Sequence, residues 1–125
     1  MLNDKRMDII HKKLDELSHS KFRSRFHLND QMISYLDSKG YRKIKEHGLQ
    51  FIQEKLVPAY PKNDGKQTPM KGHPIFIAQH ACACCCRGCL EKWHHIKKGR
   101  ELTNNEINYI ISLLMEWIVQ EKKNH

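Results

Sequence analysis

His73-Pro-Ile-Phe-Ile-Ala-Gln-His80-Ala-Cys82-Ala-Cys84-Cys85-Cys86-Arg-Gly-Cys89-Leu-Glu-Lys-Trp-His94-His95 holds all five cysteines and four of the nine histidines of a 125-residue chain. A disulfide framework ties distant segments together and therefore spreads its cysteines along the sequence. This crowding points instead to reduced thiols that bind metal or do chemistry. Thiolate and imidazole are the ligands zinc prefers, in tetrahedral sets of four. Cys86-x-x-Cys89 lets two sulfurs approach one ion from a single turn, and Arg87-Gly88 supplies the flexibility that turn needs. His80 stands just before the pair and His94 just after it. The predicted ligands are Cys86, Cys89, His80 and His94, with Cys85 and His73 in reserve, and the predicted metal is zinc. Three other readings fit the same residues. Three or four of the cysteines suit an iron–sulfur cluster. The C-x-x-C pair suits a redox dithiol, although no βαβ pattern accompanies it. Without a metal, the cysteines are small buried hydrophobes.

The flanking sequence is helical in pattern. Met7, Ile10, Leu14 and Leu17 recur at steps of three and four, which predicts a helix over 4–18 with Asp4 as its N-cap. Residues 19–28 read as a basic, aromatic connector. Asn29 or Asp30 caps a short helix carrying Met32, Ile33 and Leu36, and Gly40 stops it. A further helix spans 41–56 with Ile44, His47, Phe51, Ile52 and Leu56 on one side, closed by Pro58. Residues 57–72 contain three prolines and two glycines and keep no periodicity, so they form a long loop, a kind that in small domains is usually functional. His73-Pro74 reads as a helix start, although Ile75–Ala78 alone fits a short strand equally well. His73 is thus a ligand, a base beside the metal, or simply an N-cap. Thr103-Asn-Asn-Glu106 is a capping box. It opens a helix over 103–121 whose buried stripe is Ile107, Ile110, Ile111, Leu114, Trp117 and Ile118. The expected architecture is a small single-domain, mainly α protein spanning 1–125, its Cys/His segment (73–95) packed against helices.

The mean hydropathy of −0.72 and the lack of any long apolar run exclude a transmembrane helix. The first residues show no apolar core or cleavage site of a signal peptide, so the expected location is cytoplasmic. Net charge is +8, and it is uneven: residues 62–100 carry eight basic groups against two acidic ones. That excess predicts a partner that is nucleic acid or another phosphorylated, anionic ligand. Lys62, Lys66, Arg87, Lys92 and Arg100 are the candidate contacts, with Lys97 and Lys98 beside them. Arg23 and Arg25, next to Phe22 and Phe26, offer a second contact. The competing function is a zinc-dependent, hydrolase-type metalloenzyme acting on an anionic substrate. It would use Asp64 or Glu91 as acid/base and Lys66 to hold the anion. Asn63-Asp64-Gly65 is also a plain turn signal.

Lys21-Phe-Arg-Ser-Arg-Phe-His27, Pro61-Lys-Asn-Asp-Gly-Lys-Gln-Thr-Pro-Met-Lys-Gly-His-Pro74, Cys85-Cys-Arg-Gly-Cys-Leu-Glu-Lys-Trp-His94 and Gly99-Arg-Glu-Leu-Thr103 together resemble the bacterial family called domain of unknown function 4186. The resemblance covers about residues 18–120. It implies that Cys85, Cys86 and Cys89 belong to the family's site and that Cys82 and Cys84 are bystanders, because threonine usually stands at those two places. It supplies no activity. The order of two histidines followed by C-x-x-C also resembles the tail of iron–sulfur DNA glycosylases of the endonuclease III type, whose cysteine spacings are longer.

Overall fold

The computed structural model describes residues 2–125, and among them it contains six α-helices and no strand. The helices are α1 (Leu2–Ser18), α2 (Asp30–Lys39), α3 (Tyr41–Lys55), α4 (Pro74–Ala81), α5 (Arg87–His94) and α6 (Asn104–Lys123), with a single 3-10 turn at Arg23–Arg25. None of these helices is long and apolar enough to cross a membrane.

Capping chemistry sets most of the boundaries. The Asn29 side chain accepts from the Met32 amide and starts α2. Gly40, at φ 82°, ends α2 and leads straight into α3. Thr103 and Glu106 complete both halves of the capping box on α6. Glu106 is held down at about 2, chiefly by its hydrogen bond from Arg100. Asp4 does not cap α1: the helix begins before it, and Asp4 lies inside the first turn. The α3 helix stops at Lys55, ahead of Pro58.

Ile75–Ala78 is helix rather than strand. Pro74 pre-sets the first helical dihedral, and the His73 side chain caps the end by accepting from the Ile75 amide. Seven of the eight α4 residues are buried, so α4 is apolar nearly all round, as a helix enclosed by others must be. It packs against α2, α3, α6 and the 3-10 turn. In turn α6 covers α1, α3 and α4, burying Ile107, Ile110, Ile111, Leu114 and Ile118 of the expected stripe together with Leu113. Trp117 is only partly buried.

Gly48 of α3 lets α4 and α6 close on one point. A methyl group there would stand 2.8 Å from both Ile75 Cδ1 and Ile111 Cδ1. Those atoms are side-chain ends, so one carbon can be accommodated by small shifts, but a branched side chain cannot. Gly48→Val should therefore lower the unfolding free energy by about 1–3 kcal/mol through overpacking, measured as a shift of the urea midpoint. An unchanged midpoint would show that the three helices do not meet there.

Candidate metal centre

The α4 helix ends in a turn that delivers the cysteines. The Cys84 amide bonds back to Gln79 O (2.8 Å) and the Ala83 amide to His80 O (3.4 Å), which is a Schellman arrangement. Its left-handed residue is Ala83, φ 57°, where glycine is usual. Beyond the turn the chain has no regular partner, and side chains take over. Cys82 O accepts from His94 Nε2 (2.8 Å), Cys84 O from Gln79 Nε2 (3.1 Å) and Cys85 O from Thr68 Oγ1 (2.8 Å).

Cys86 is the N-cap of α5, its Sγ accepting from the Cys89 amide. That places the two sulfurs 3.3 Å apart. Cys85 Sγ lies 3.6 Å from Cys89 Sγ. The three sulfurs form a cluster able to hold a metal ion. The Arg23 guanidinium closes over it, donating from Nη2 to Cys89 Sγ (3.1 Å) and from Nη1 to Cys85 Sγ (3.6 Å) and His80 O (2.7 Å). Two positive features thus face the sulfurs: the start of α5 and this guanidinium. Cys82 and Cys84 are fully buried, and burial pushes both thiols well above the usual range. They are neutral packing groups within the core.

The histidines are placed differently. His94 donates from Nε2 to a carbonyl, so its Nδ1 is the acceptor for Tyr109 Oη at 2.7 Å. Both nitrogens are occupied, and burial lowers its pKa to about 4. His73 accepts from the Ile75 amide on Nδ1 (3.0 Å). Its Nε2 therefore carries the proton and donates to His47 Nδ1, also at 3.0 Å. Burial first, then His47, lowers the His73 pKa to about 4. His80 donates from Nε2 to Thr68 O and Pro69 O (3.2 and 3.1 Å) and stacks on Phe26. Its Nδ1 makes no hydrogen bond among the described residues. Neither His80 nor His94 falls within the sulfur cluster.

Some expected contacts are turned inward and others are engaged at the surface. Arg87 is wholly buried and donates to four carbonyls, those of Leu56, Pro58, Lys97 and Arg100. It ties the end of α3 to the segment after α5 and presents nothing to a partner, which corrects its reading as an anion contact. Arg23 is likewise buried against the sulfurs. Arg100 is spent on Glu106 through two bonds of 2.8 and 2.7 Å. Asp64 accepts from the Arg87 amide (3.1 Å) and from Gln67 Nε2 (2.8 Å), and so helps to cap α5. Glu91 is exposed and accepts from the Lys98 amide. Lys62, Lys66 and Lys92 are exposed and make no ion pair among the described residues. Composition gave no hint of the roles of Thr68, Gln79 and Arg23. Thr68 and Gln79 carried no signal beyond being polar residues near the cysteine segment, and Arg23, expected as a second anion contact, instead covers the sulfurs.

These features define a helical protein built round a three-thiol cluster that can hold a metal ion. The chain belongs to the family described as domain of unknown function DUF4186, whose family model matches residues 11–119. No solved structure matches it.

His73 gives the fold a pH dependence of definite sign. Its folded pKa, about 4, lies below the ordinary 6.5, so the unfolded chain binds the extra proton. The stability from His73 is complete above about pH 6.5 and is lost as pH falls toward about 4. His73→Asn keeps an N-cap acceptor and removes the titration. Urea unfolding should show a smaller loss between about pH 7 and pH 5 in this variant than in the parent protein. Equal losses would mean that the imidazole is not held neutral.

Proposed function

We propose that the protein binds one zinc ion on Cys85, Cys86 and Cys89, with His80 Nδ1 as the fourth ligand, and that this centre holds a basic loop against nucleic acid. The convergence of three sulfurs carries the reading. Zinc–sulfur bonds of about 2.3 Å set tetrahedral edges of about 3.8 Å. Sulfurs that stand 3.3 and 3.6 Å apart need shifts of only tenths of an ångström. Zinc is preferred to an iron–sulfur cluster because such clusters usually take four thiolates, and Cys82 and Cys84 are committed to the core. Among His73, His80 and His94, only His80 keeps a nitrogen with no hydrogen bond. Its other nitrogen already donates to backbone carbonyls, as a metal-bound imidazole's second nitrogen usually does. Binding would draw its ring toward the sulfurs. A set of three cysteines and one histidine is closed and therefore structural. Were water to take the fourth place, the same three thiolates would suit hydrolysis, with Asp64, bonded to the Arg87 amide at the α5 N-terminus, as the candidate base.

The loop over 57–72 is fastened to this centre by Thr68, His80 and Asp64. It presents Lys62 and Lys66 to solvent, and Tyr60 of the same loop is 84% exposed. Lysines meet phosphates, and an exposed aromatic ring stacks on bases without sequence preference. Metal analysis of the purified protein should give about one zinc per chain. Cys85→Ser, Cys86→Ser or Cys89→Ser should abolish binding, and Cys82→Ala should not. Zinc-free protein, or cysteine variants that keep it, would overturn the metal reading. Single-stranded nucleic acid should bind at low salt. Charge reversal at Lys62 or Lys66 should weaken binding and reduce the salt dependence by roughly one counterion each. Absence of binding at low salt would sink the nucleic-acid reading alone.

A further inference from the structure

We propose that Cys86 and Cys89 are an oxidative modification site for hydroperoxides, and that closing their disulfide expels the metal. The proposal deepens the zinc reading and rests on it for the metal-release step. The disulfide step stands on the sulfur geometry by itself.

The five thiols differ in access, and Cys85, 9% exposed, lies between the extremes. Cys82 and Cys84 are sealed in the core at 0% exposure, beyond the reach of an oxidant. Cys86 and Cys89 are only partly buried, and their sulfurs are 3.3 Å apart. They belong to one helical turn, with Cys86 as N-cap and Cys89 three residues on. That places the backbone of both near the start of one helix, where a cross-link needs little rearrangement. Cys89 is the central sulfur. It touches Cys86, Cys85 and the Arg23 Nη2 donor, which fixes its direction. An oxidised Cys89 therefore has a neighbouring thiol already within reach, the arrangement of a redox-sensing pair.

The chemistry balances in two steps. The Cys89 sulfur attacks the terminal oxygen of a hydroperoxide, and the O–O bond breaks. The leaving alkoxide takes a proton, from the thiol in metal-free protein or from water where zinc holds the thiolate, giving an alcohol and Cys89 sulfenic acid. The Cys86 sulfur then attacks the Cys89 sulfur. The S–O bond breaks, the hydroxide leaves (as water where Cys86 still carries its proton), and the disulfide forms. The two thiols lose two electrons and the peroxide gains them. Two of the three sulfur ligands are consumed, and Cys85 with His80 cannot keep a tetrahedral set.

The test treats purified, metal-loaded protein with hydrogen peroxide. A chromogenic chelator follows released zinc, and mass spectrometry of peptide digests maps the cysteines. A second sample, stripped of metal by chelation, is treated in parallel. The expected result is a Cys86–Cys89 link, zinc release in step with it, and reversal by dithiothreitol with renewed metal uptake. Cys85→Ser should still form the link in stripped protein, and Cys86→Ser should not. A stripped sample that forms only sulfinic or sulfonic acids, or that keeps both thiols free, would overturn the proposal. So would a fully formed disulfide with the zinc still bound. Protein that carries no zinc but forms the link in stripped form would count against the metal reading and leave the modification site standing, so the two failures are distinguishable.

Discussion

The carbonyls of Cys82, Cys84 and Cys85 follow the end of a buried helix and have no helix or strand to bond to. Buried carbonyls must be satisfied, and here His94, Gln79 and Thr68 each supply a donor. Much of the site follows from this requirement. It brings the loop over 57–72 down onto the cysteine segment through Thr68. It fixes His94 as a structural imidazole with Tyr109 on its other side. It holds Cys84 and Cys85 still, so that Cys86 opens α5 with its sulfur beside that of Cys89.

Charge follows the same logic of place. The most basic stretch of the chain does not simply present its charge outward. Arg87 disappears into a cage of four carbonyls, and Arg23 crosses from the connector after α1 to the sulfurs. A cation facing three sulfurs offsets the negative charge they would carry as metal ligands. What reaches solvent is mainly lysine, whose compact ammonium suits loose phosphate contact better than bidentate recognition.

The helices were legible because their signals are local. The Thr103–Glu106 capping box, the Asn29 cap, the Gly40 stop and the His73-Pro74 start all appear in the structure. The α6 stripe missed only Leu113 and overstated Trp117. Asp4 misled because its helix starts earlier. The metal-capable segment was legible from cysteine crowding, and the resemblance pointed to Cys85, Cys86 and Cys89, the sulfurs that converge. The placement of the histidines was not legible. Imidazoles at ligand spacing look alike in sequence, and only the hydrogen bonds to Tyr109, His47 and the Thr68 and Pro69 carbonyls tell them apart. The turn at Ala83 was also hidden, because a left-handed position leaves a sequence mark only when glycine fills it.

The central claim is a zinc site of three sulfurs and one imidazole nitrogen. X-ray absorption at the zinc edge of the protein as purified tests it most directly. The account predicts three sulfur neighbours at about 2.3 Å and one nitrogen at about 2.0 Å. Two sulfurs with two nitrogens, or four sulfurs, would contradict it.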